Sequence, residues 1–472
     1  MWARIEAVSG DSSEAWLPAD LAQSCSEVTS LAFGLRQAKV SIRSDSRVVG
    51  TRGSSFKKPI RVLVTERVLQ DLLIRRGVVY RVHLSEDRIE LGPLIGILLG
   101  HQTHRYSPRH MEKYSDRLGV YSRIGGIVCA FSSETVDWGR KTAYGLIYNV
   151  DRTSWEYAQF PLPSVAYRRS FHSRPADIDR LRHVGVRVFN SRRFLKPEVY
   201  DIIRQNKALM KYIPPTQLVS SYDQLKSFID ANERVILKPT DLSRGRGICF
   251  VDKRGHMYTV TDYREPIPVE TPVDGDGELR SFFMKNKSFF TRYLAQRLLP
   301  LARVGGQLFD IRVVMHKSPR GVWKCSGIEC RVGGPGMLVT NISRGGMAMP
   351  LEAALDEFLG AGDHTKTVRE VHTVSSRVCA AMDETGEHFA ELGLDLALDT
   401  DGKLWLIEVN VIPSFKGFKE MDPPAYLRIR QAPLLYASAV AGFSPVGGAN
   451  DKVIPGETGA RPGPVDHPQC RT

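Results

Sequence analysis

The chain has few cysteines and no Cys-x-x-Cys pair: seven in 472 residues, at positions 25, 129, 249, 325, 330, 379 and 470. An odd, scattered set offers neither a zinc frame nor a disulfide framework, and it suits a reducing compartment. No apolar stretch approaches the roughly 20 residues that a membrane-spanning helix needs. The opening Met1-Trp-Ala-Arg-Ile-Glu6 lacks the apolar core of a secretory signal, so a cytoplasmic protein is expected. Asp and Glu number 52 against 65 Lys and Arg, a net charge of +13 that favours anionic partners. No compact Lys/Arg run with interleaved aromatics occurs, so specific nucleic-acid readout is not expected. No repeat of solenoid period is visible.

The chemistry is concentrated towards the end. Leu404-Trp-Leu-Ile-Glu-Val-Asn410 reads as a covered strand that ends in polar residues. Glu408 and Asn410 stand two residues apart, so their side chains share one face. Two oxygen ligands on one face can hold Mg²⁺, which prefers carboxylates, waters and substrate phosphates. Asp395 lies on the preceding apolar run, Gly393 to Leu398, and Asp399-Thr-Asp-Gly402 between the runs is a turn signal. A hairpin would therefore bring Asp395 beside Glu408.

Upstream, Val235-Ile-Leu-Lys238 is an apolar run stopped by Pro239. Ser243, Gly245 and Gly247 then form a Ser/Gly-rich segment before a second apolar run, Ile248 to Val251. Strand, glycine-rich loop and strand suit a flap over phosphates. Its glycines would let backbone N–H groups approach oxygens, and Lys238 would supply a point charge. It is not a P-loop, because no Gly-Lys-Ser/Thr closes it. It is not a dinucleotide fingerprint either, because Phe250 replaces the third glycine and no helix pattern follows. Lys207 sits on a helical pattern, Pro197–Tyr212, that stops before Pro214.

The order Asn206-Lys207 then Pro-Pro-Thr216, Lys238-Pro with its flap, Gln296, Asp310-x-Arg312, Asn341 with Gly-Gly, and Glu408-x-Asn410 resembles the ATP-grasp superfamily. Within it the chain is similar to the spore-coat-associated YheC/YheD-type family. Supporting segments are Gly92-Pro-Leu-Ile-Gly-Ile97, Phe309-Asp-Ile-Arg312, Cys330-Arg331-Val-Gly and Thr340-Asn341-Ile-Ser-Arg344-Gly-Gly346. The superfamily resemblance covers roughly residues 180–430. It implies that Lys207 and Lys238 hold ATP phosphates, that Ser243, Gly245 and Gly247 belong to the flap, and that Gln296 to Leu299, including Leu298, form the hinge at adenine. It further implies that Asp395, Glu408 and Asn410 bind the metal. Arg312 resembles the superfamily arginine near phosphate or substrate, and Arg331 and Arg344 suit carboxylate or phosphate oxygens. Asn206 stands where Asp is commoner in the superfamily, and Gln296 where many members have Glu.

The expected fold is α/β and α+β. A small β-rich domain would span 1–90, an α/β domain 91–180, and an ATP-grasp domain of two α+β lobes 181–444. A disordered tail would occupy 445–472, where Pro and Gly dominate. Strand, helix and strand from Leu94 to Tyr148 suggest a parallel sheet in the second domain. His101, Gln102 and His104 follow its first strand, and with Arg168 and Arg169 they are candidate substrate contacts. A helix is expected over Thr365–Leu392. Cys325 and Cys330 read as core or near-core residues. The implied reaction is Mg²⁺- and ATP-dependent ligation of a carboxylate to an amine, less readily a thiol, through an acyl phosphate. Amino acids, peptides or envelope precursors would be substrates, with a possible spore association. The alternatives are a kinase on the same scaffold and a non-catalytic, ATP-binding coat-associated protein.

Overall fold

The computed structural model describes residues 1–446 except 26–27, 46–47, 49–52, 86, 171, 243–245, 265–266 and 335–345. Ser243, Gly245, Arg344 and nearly all of the expected tail lie outside the described residues.

Four main sheets organise the described chain. The first has eight strands drawn from Trp2–Val8 to Arg88–Gly92. The second has six strands, from Leu94–Leu98 to Arg187–Phe189. It is mixed rather than wholly parallel. Leu94–Leu98 runs parallel to Ile127–Asp137 and Val165–Arg168, but Thr142–Asn149 and Ser154–Pro161 add an antiparallel edge. The turns at Lys141 and Thr153, both with left-handed φ, close those hairpins directly, so no crossover is needed. The helix expected after Leu94–Leu98 is an α-turn, Pro108–Met111, that continues as a 3₁₀ segment, Glu112–Val120.

The last two sheets frame the cleft, and every strand pair in them is antiparallel. One runs Thr216–Leu218, Tyr293–Arg297, Arg234–Pro239, Cys249–Arg254, Met257–Asp262, Val269–Asp274. The helices Tyr222–Asn232 and Gly275–Met284 bury Leu225, Ile229, Leu279 and Phe283 in its core. The other runs Met347–Met349, Trp323–Val332, Gln307–Lys317, Glu391–Leu398, Leu404–Asn410. Against it lies the helix Thr365–Asp383, which buries Val371, Val374, Val378 and Met382 at spacings of three and four. That helix ends nine residues before Leu392. Gly386 adopts φ +74°, a left-handed turn that stops it, and Phe389 is buried on the way into the next strand. The helix expected over Pro197–Tyr212 likewise ends early. It runs Lys196–Gln205, and Met210–Tyr212 is a separate 3₁₀ turn.

The helix Pro423–Val440 ties the cleft to the second sheet. Leu434 and Ala437 pack with Ile97 and Tyr167, while Ile429 packs with Phe418 and Val314 of the Gln307–Lys317 strand. Among the described residues no helix is long and apolar enough to cross a membrane.

Candidate active site between two antiparallel sheets

The two sheets face each other across a cleft of about 630 Å³. One wall comes from Lys238, Gln296 and the segment after Pro239; the floor comes from Asp310, Arg312, Glu329, Arg331, Asp395, Glu408 and Asn410.

The wall begins with Lys238. Its Nζ donates to Gln296 Oε1 at 2.6 Å, and Gln296 Nε2 donates to Thr216 Oγ1 at 2.9 Å and to the Tyr200 hydroxyl. These bonds fix which amide atom faces the lysine. Gln296 is therefore a brace for Lys238, with its side chain fully engaged. Burial pushes the Lys238 ammonium down to about 8; Glu408 and Asp395 pull the other way and Lys196 adds to the fall. Leu298 lines the cleft, and its N–H is bonded to Arg234 O at 2.8 Å. Gly247 has φ +70° and packs under Pro239, while its carbonyl accepts from the Tyr293 hydroxyl at 2.8 Å. Only glycine suits that turn, since a Cβ would sit 3.1 Å from the Pro239 ring in a left-handed conformation.

The second lysine of the cleft is Lys196, and Lys207 is not in it. Lys207 is exposed on the turn after the helix Lys196–Gln205. Lys196, at the first turn of that helix, lines the cleft with its Nζ 3.8 Å from Glu408 Oε1. It also donates to Pro239 O at 3.1 Å and to Leu242 O, bridging the helix to the strand that carries Lys238. Burial pushes the Lys196 ammonium below its usual range, with Glu408 opposing.

On the floor, the hairpin forms with Asp395 opposite Glu408, and the register shifts between Asp395 and Leu396. Asp395 also faces Arg312 across the strand pair on its other side. Arg312 grips Asp395 through Nε and through NH2 at 2.9 Å, and Arg331 NH2 lies 3.2 Å from the same carboxylate. Burial opposes the Asp395 charge, but Arg312 and Arg331 outweigh it and hold the acid below its usual range. Arg331 in turn grips Asp310 with Nε and NH2, both at 2.6 Å. Neither guanidinium is a freely available substrate clamp, because the Nε/NH2 edge of each is bound to a buried acid. Asn410 Nδ2 donates to Asp395 at 3.3 Å, which leaves its amide oxygen outside that bond. Glu329, facing Arg312 across the strands, is pushed up to about 7 by burial.

Arg168 and Arg169 do not line the cleft. Arg169 donates to Glu391 Oε1 at 2.9 Å and to Pro413 O at 2.7 Å, and Arg312 NH1 donates to the neighbouring Ser414 O at 3.3 Å. Arg169 thus braces the loop beside the floor from the second sheet. Arg168 donates to Asn190 O, and Asn190 bonds both the Glu391 backbone and Val411 O. His101, Gln102 and His104 lie outside the cleft; His101 bonds His172 O. The Cys325 thiol is half-buried and bonded to Gly327 O, and burial pushes it up to about 11. Cys330 is fully buried, and burial raises it as well. Both are packing residues. Sequence reasoning missed Lys196 and Glu329, and named Asp310 only as part of the Asp310-x-Arg312 motif, with no role of its own. Glu329 shares a strand face with Arg331 two residues on, an alternation that could have marked it.

Residues 185–440 match the family model described as YheC/D-like ATP-grasp. The chain belongs to that family. Two curated proteins of Bacillus subtilis (strain 168) are similar to this YheC/D-like chain. Endospore coat-associated protein YheD is 23% identical over 369 residues, 75% of this chain and 79% of YheD. Endospore coat-associated protein YheC is 24% identical over 304 residues, 61% of this chain and 81% of YheC. Among solved structures, the ATP-grasp ligase PsnB with minimal precursor, Mg and ADP aligns at TM-score 0.42 and 14% identity, over 72% of this chain and 97% of that one. The D-cycloserine synthetase DcsG aligns at TM-score 0.43 and 13% identity, over 72% and 98%.

Proposed function

We propose that this YheC/D-like protein binds ATP in the cleft and joins a carboxylate to an amine through an acyl phosphate, releasing ADP and phosphate. The observation that carries the reading is the convergence of Lys196 and Lys238 on the Glu408 edge of the floor, between two antiparallel sheets of an ATP-grasp chain. Two partly buried ammonium groups beside one carboxylate suit a triphosphate carried with a divalent ion. The residues fit magnesium. Glu408 has its nearest described cation at 3.8 Å, Asn410 keeps its amide oxygen, and Asp395 stands behind them. Magnesium with one or two protein oxygens and substrate phosphates is its usual manner of binding. Once bound it would offset phosphate charge.

The chain's own residues do the rest by position and charge, as phosphoryl transfer requires. Lys196 and Lys238 hold phosphate oxygens, Gln296 keeps Lys238 aimed, and the turn at Gly247 sets the start of the second flap strand. Asp310 and Asp395 hold Arg331 and Arg312 rigid at the floor, where their charge favours an acid. The acid and amine are amino acids, peptides or envelope precursors. A coat-associated setting, after the names of both relatives, is part of the same proposal.

The lysines give the sharpest test of the nucleotide reading. Lys196→Ala and Lys238→Ala should each remove a charge-assisted bond of roughly 1.5–3 kcal/mol, weakening Mg·ATP about tenfold or more. Lys207→Ala should leave the affinity unchanged. Calorimetric titration of the folded variants decides it, and a loss confined to Lys207→Ala would sink the assignment.

Affinity should also depend on pH with a definite sign. Burial lowers Lys238 in the free protein, so its charge is lost as pH rises through about 8, whereas bound phosphate favours the charged form. ATP affinity should therefore fall above that point, by about tenfold at pH 9 relative to pH 7. Lys238→Arg, which does not titrate there, should flatten the profile. A wild-type profile flat to pH 9.5 would contradict the role of Lys238.

A further inference from the structure

The floor of the cleft holds one carboxylate that neither the nucleotide reading nor the ion pairs use. Glu329 is 1% exposed and lines the cleft, and its Oε2 has no hydrogen-bond partner among the described residues. Two guanidiniums stand beside it, yet both are directed elsewhere. Arg312, its cross-strand neighbour, sends Nε and NH2 to Asp395 and NH1 to Ser414 O. Arg331, two residues further along the same strand, sends Nε and NH2 to Asp310, with NH2 also near Asp395. Three acids thus share two cations on this part of the floor. Lys196 and Lys238 do not make up the difference, because the acid that acts most strongly on each is Glu408. Buried acceptors without a donor are few in native proteins, and each one needs an explanation.

We propose that Glu329 is a cation subsite that receives the ammonium group of the amine substrate; the proposal rests on the ligase reading above. An ammonium is compact, carries three donors and one charge, and so supplies both the missing bond and the missing cation. A second divalent metal suits the place less well. Two guanidiniums flank it, and a hard cation needs several oxygens, whereas the neighbouring acids Asp310 and Asp395 are already bound to those guanidiniums. The position also fits the reaction. Glu329, Arg312, Asp395 and Glu408 succeed one another across four neighbouring strands, so an amine at Glu329 lies about 10 Å, two strand spacings, from Asp395 and about 14 Å from the Glu408 edge where the triphosphate is placed. The acid to be activated occupies the interval, over Arg312.

The test uses the full chain saturated with Mg²⁺ and AMPPNP and titrated with glycinamide, whose only charge is its ammonium, with acetamide as the neutral control. Wild-type protein should bind glycinamide and ignore acetamide. Glu329→Gln should weaken glycinamide at least tenfold, and Glu329→Asp should fall between the two. The Asp variant decides the matter if the Gln variant does not fold. Equal glycinamide affinity in wild type and Glu329→Gln, or no binding to wild type, would overturn the subsite. So would a Glu329→Gln protein that loses an equivalent of Mn²⁺ while keeping glycinamide, since that would make Glu329 a metal ligand. AMPPNP binding is measured first. Its failure in wild type overturns the ligase reading, and the nucleotide-free glycinamide titration then still decides the cation subsite.

Discussion

Replacing Asp395 with alanine is expected to destabilise the protein by about 3–5 kcal/mol, the range for stripping one partner from a buried ion pair. Asp395 is 6% exposed and accepts from Arg312, Arg331 and Asn410. Its loss strands the buried guanidinium of Arg312, which has no other acid partner among the ion pairs of the described residues, and leaves Arg331 with Asp310 alone. The penalty comes from that unpaired charge more than from the bond itself. The double variant Asp395→Ala/Arg312→Met should therefore recover part of the loss, because it removes a stranded charge along with its partner. Urea unfolding of the single and double variants measures both effects. A single-variant loss under about 1 kcal/mol would mean that water reaches the floor and screens it.

The second large effect concerns activity with the fold intact. Glu408→Gln should lower ATP turnover at least a hundredfold, about 2.7 kcal/mol of barrier. Glu408 is only partly buried, and Lys196, 3.8 Å away, keeps its bonds to Pro239 O and Leu242 O, so the isosteric change is expected to leave the fold intact. Magnesium, however, favours an anionic oxygen over an amide. The same variant should bind ATP less tightly with Mg²⁺ and change little without it. Wild-type turnover across a magnesium titration would remove Glu408 from the metal site. Together, the Asp395 and Glu408 substitutions separate the two carboxylates of one hairpin, one acting mainly through buried charge pairing and the other through the nucleotide's ion.

That hairpin was legible because its information is local. Apolar runs on either side of Asp399-Thr-Asp-Gly402 specify the turn, and the turn sets Asp395 opposite Glu408. Lys238 was legible for the same reason, since Pro239 ends its strand. The pairing of the arginines was not. Arg331 meets Asp310 from 21 residues away and Arg312 meets Asp395 from 83, separations at which a sequence does not say which charges share a face. Lys207 was misplaced by a related ambiguity. The helical pattern that carries it starts at Pro197, one residue after Lys196, and only the packing of the helix shows that its first turn, not its end, reaches the cleft. The helix expected to reach Leu392 erred locally. Val371 to Met382 did mark a buried face, but Thr385-Gly386 was a stop signal within the window. The antiparallel edge of the second sheet depends on the hairpin turns at Lys141 and Thr153, whose left-handed positions are not glycines.

The most direct test of carboxylate activation is to capture the acyl phosphate. Full-length protein, Mg²⁺ and ATP are incubated with hydroxylamine and, in turn, each member of a panel of amino acids, short peptides and envelope precursors. The reaction proposed here gives ADP together with an acid-dependent hydroxamate, and addition of the right amine replaces the hydroxamate with an amide and releases phosphate. Formation of AMP and pyrophosphate, or of a stable phosphoester with no free phosphate, would contradict it.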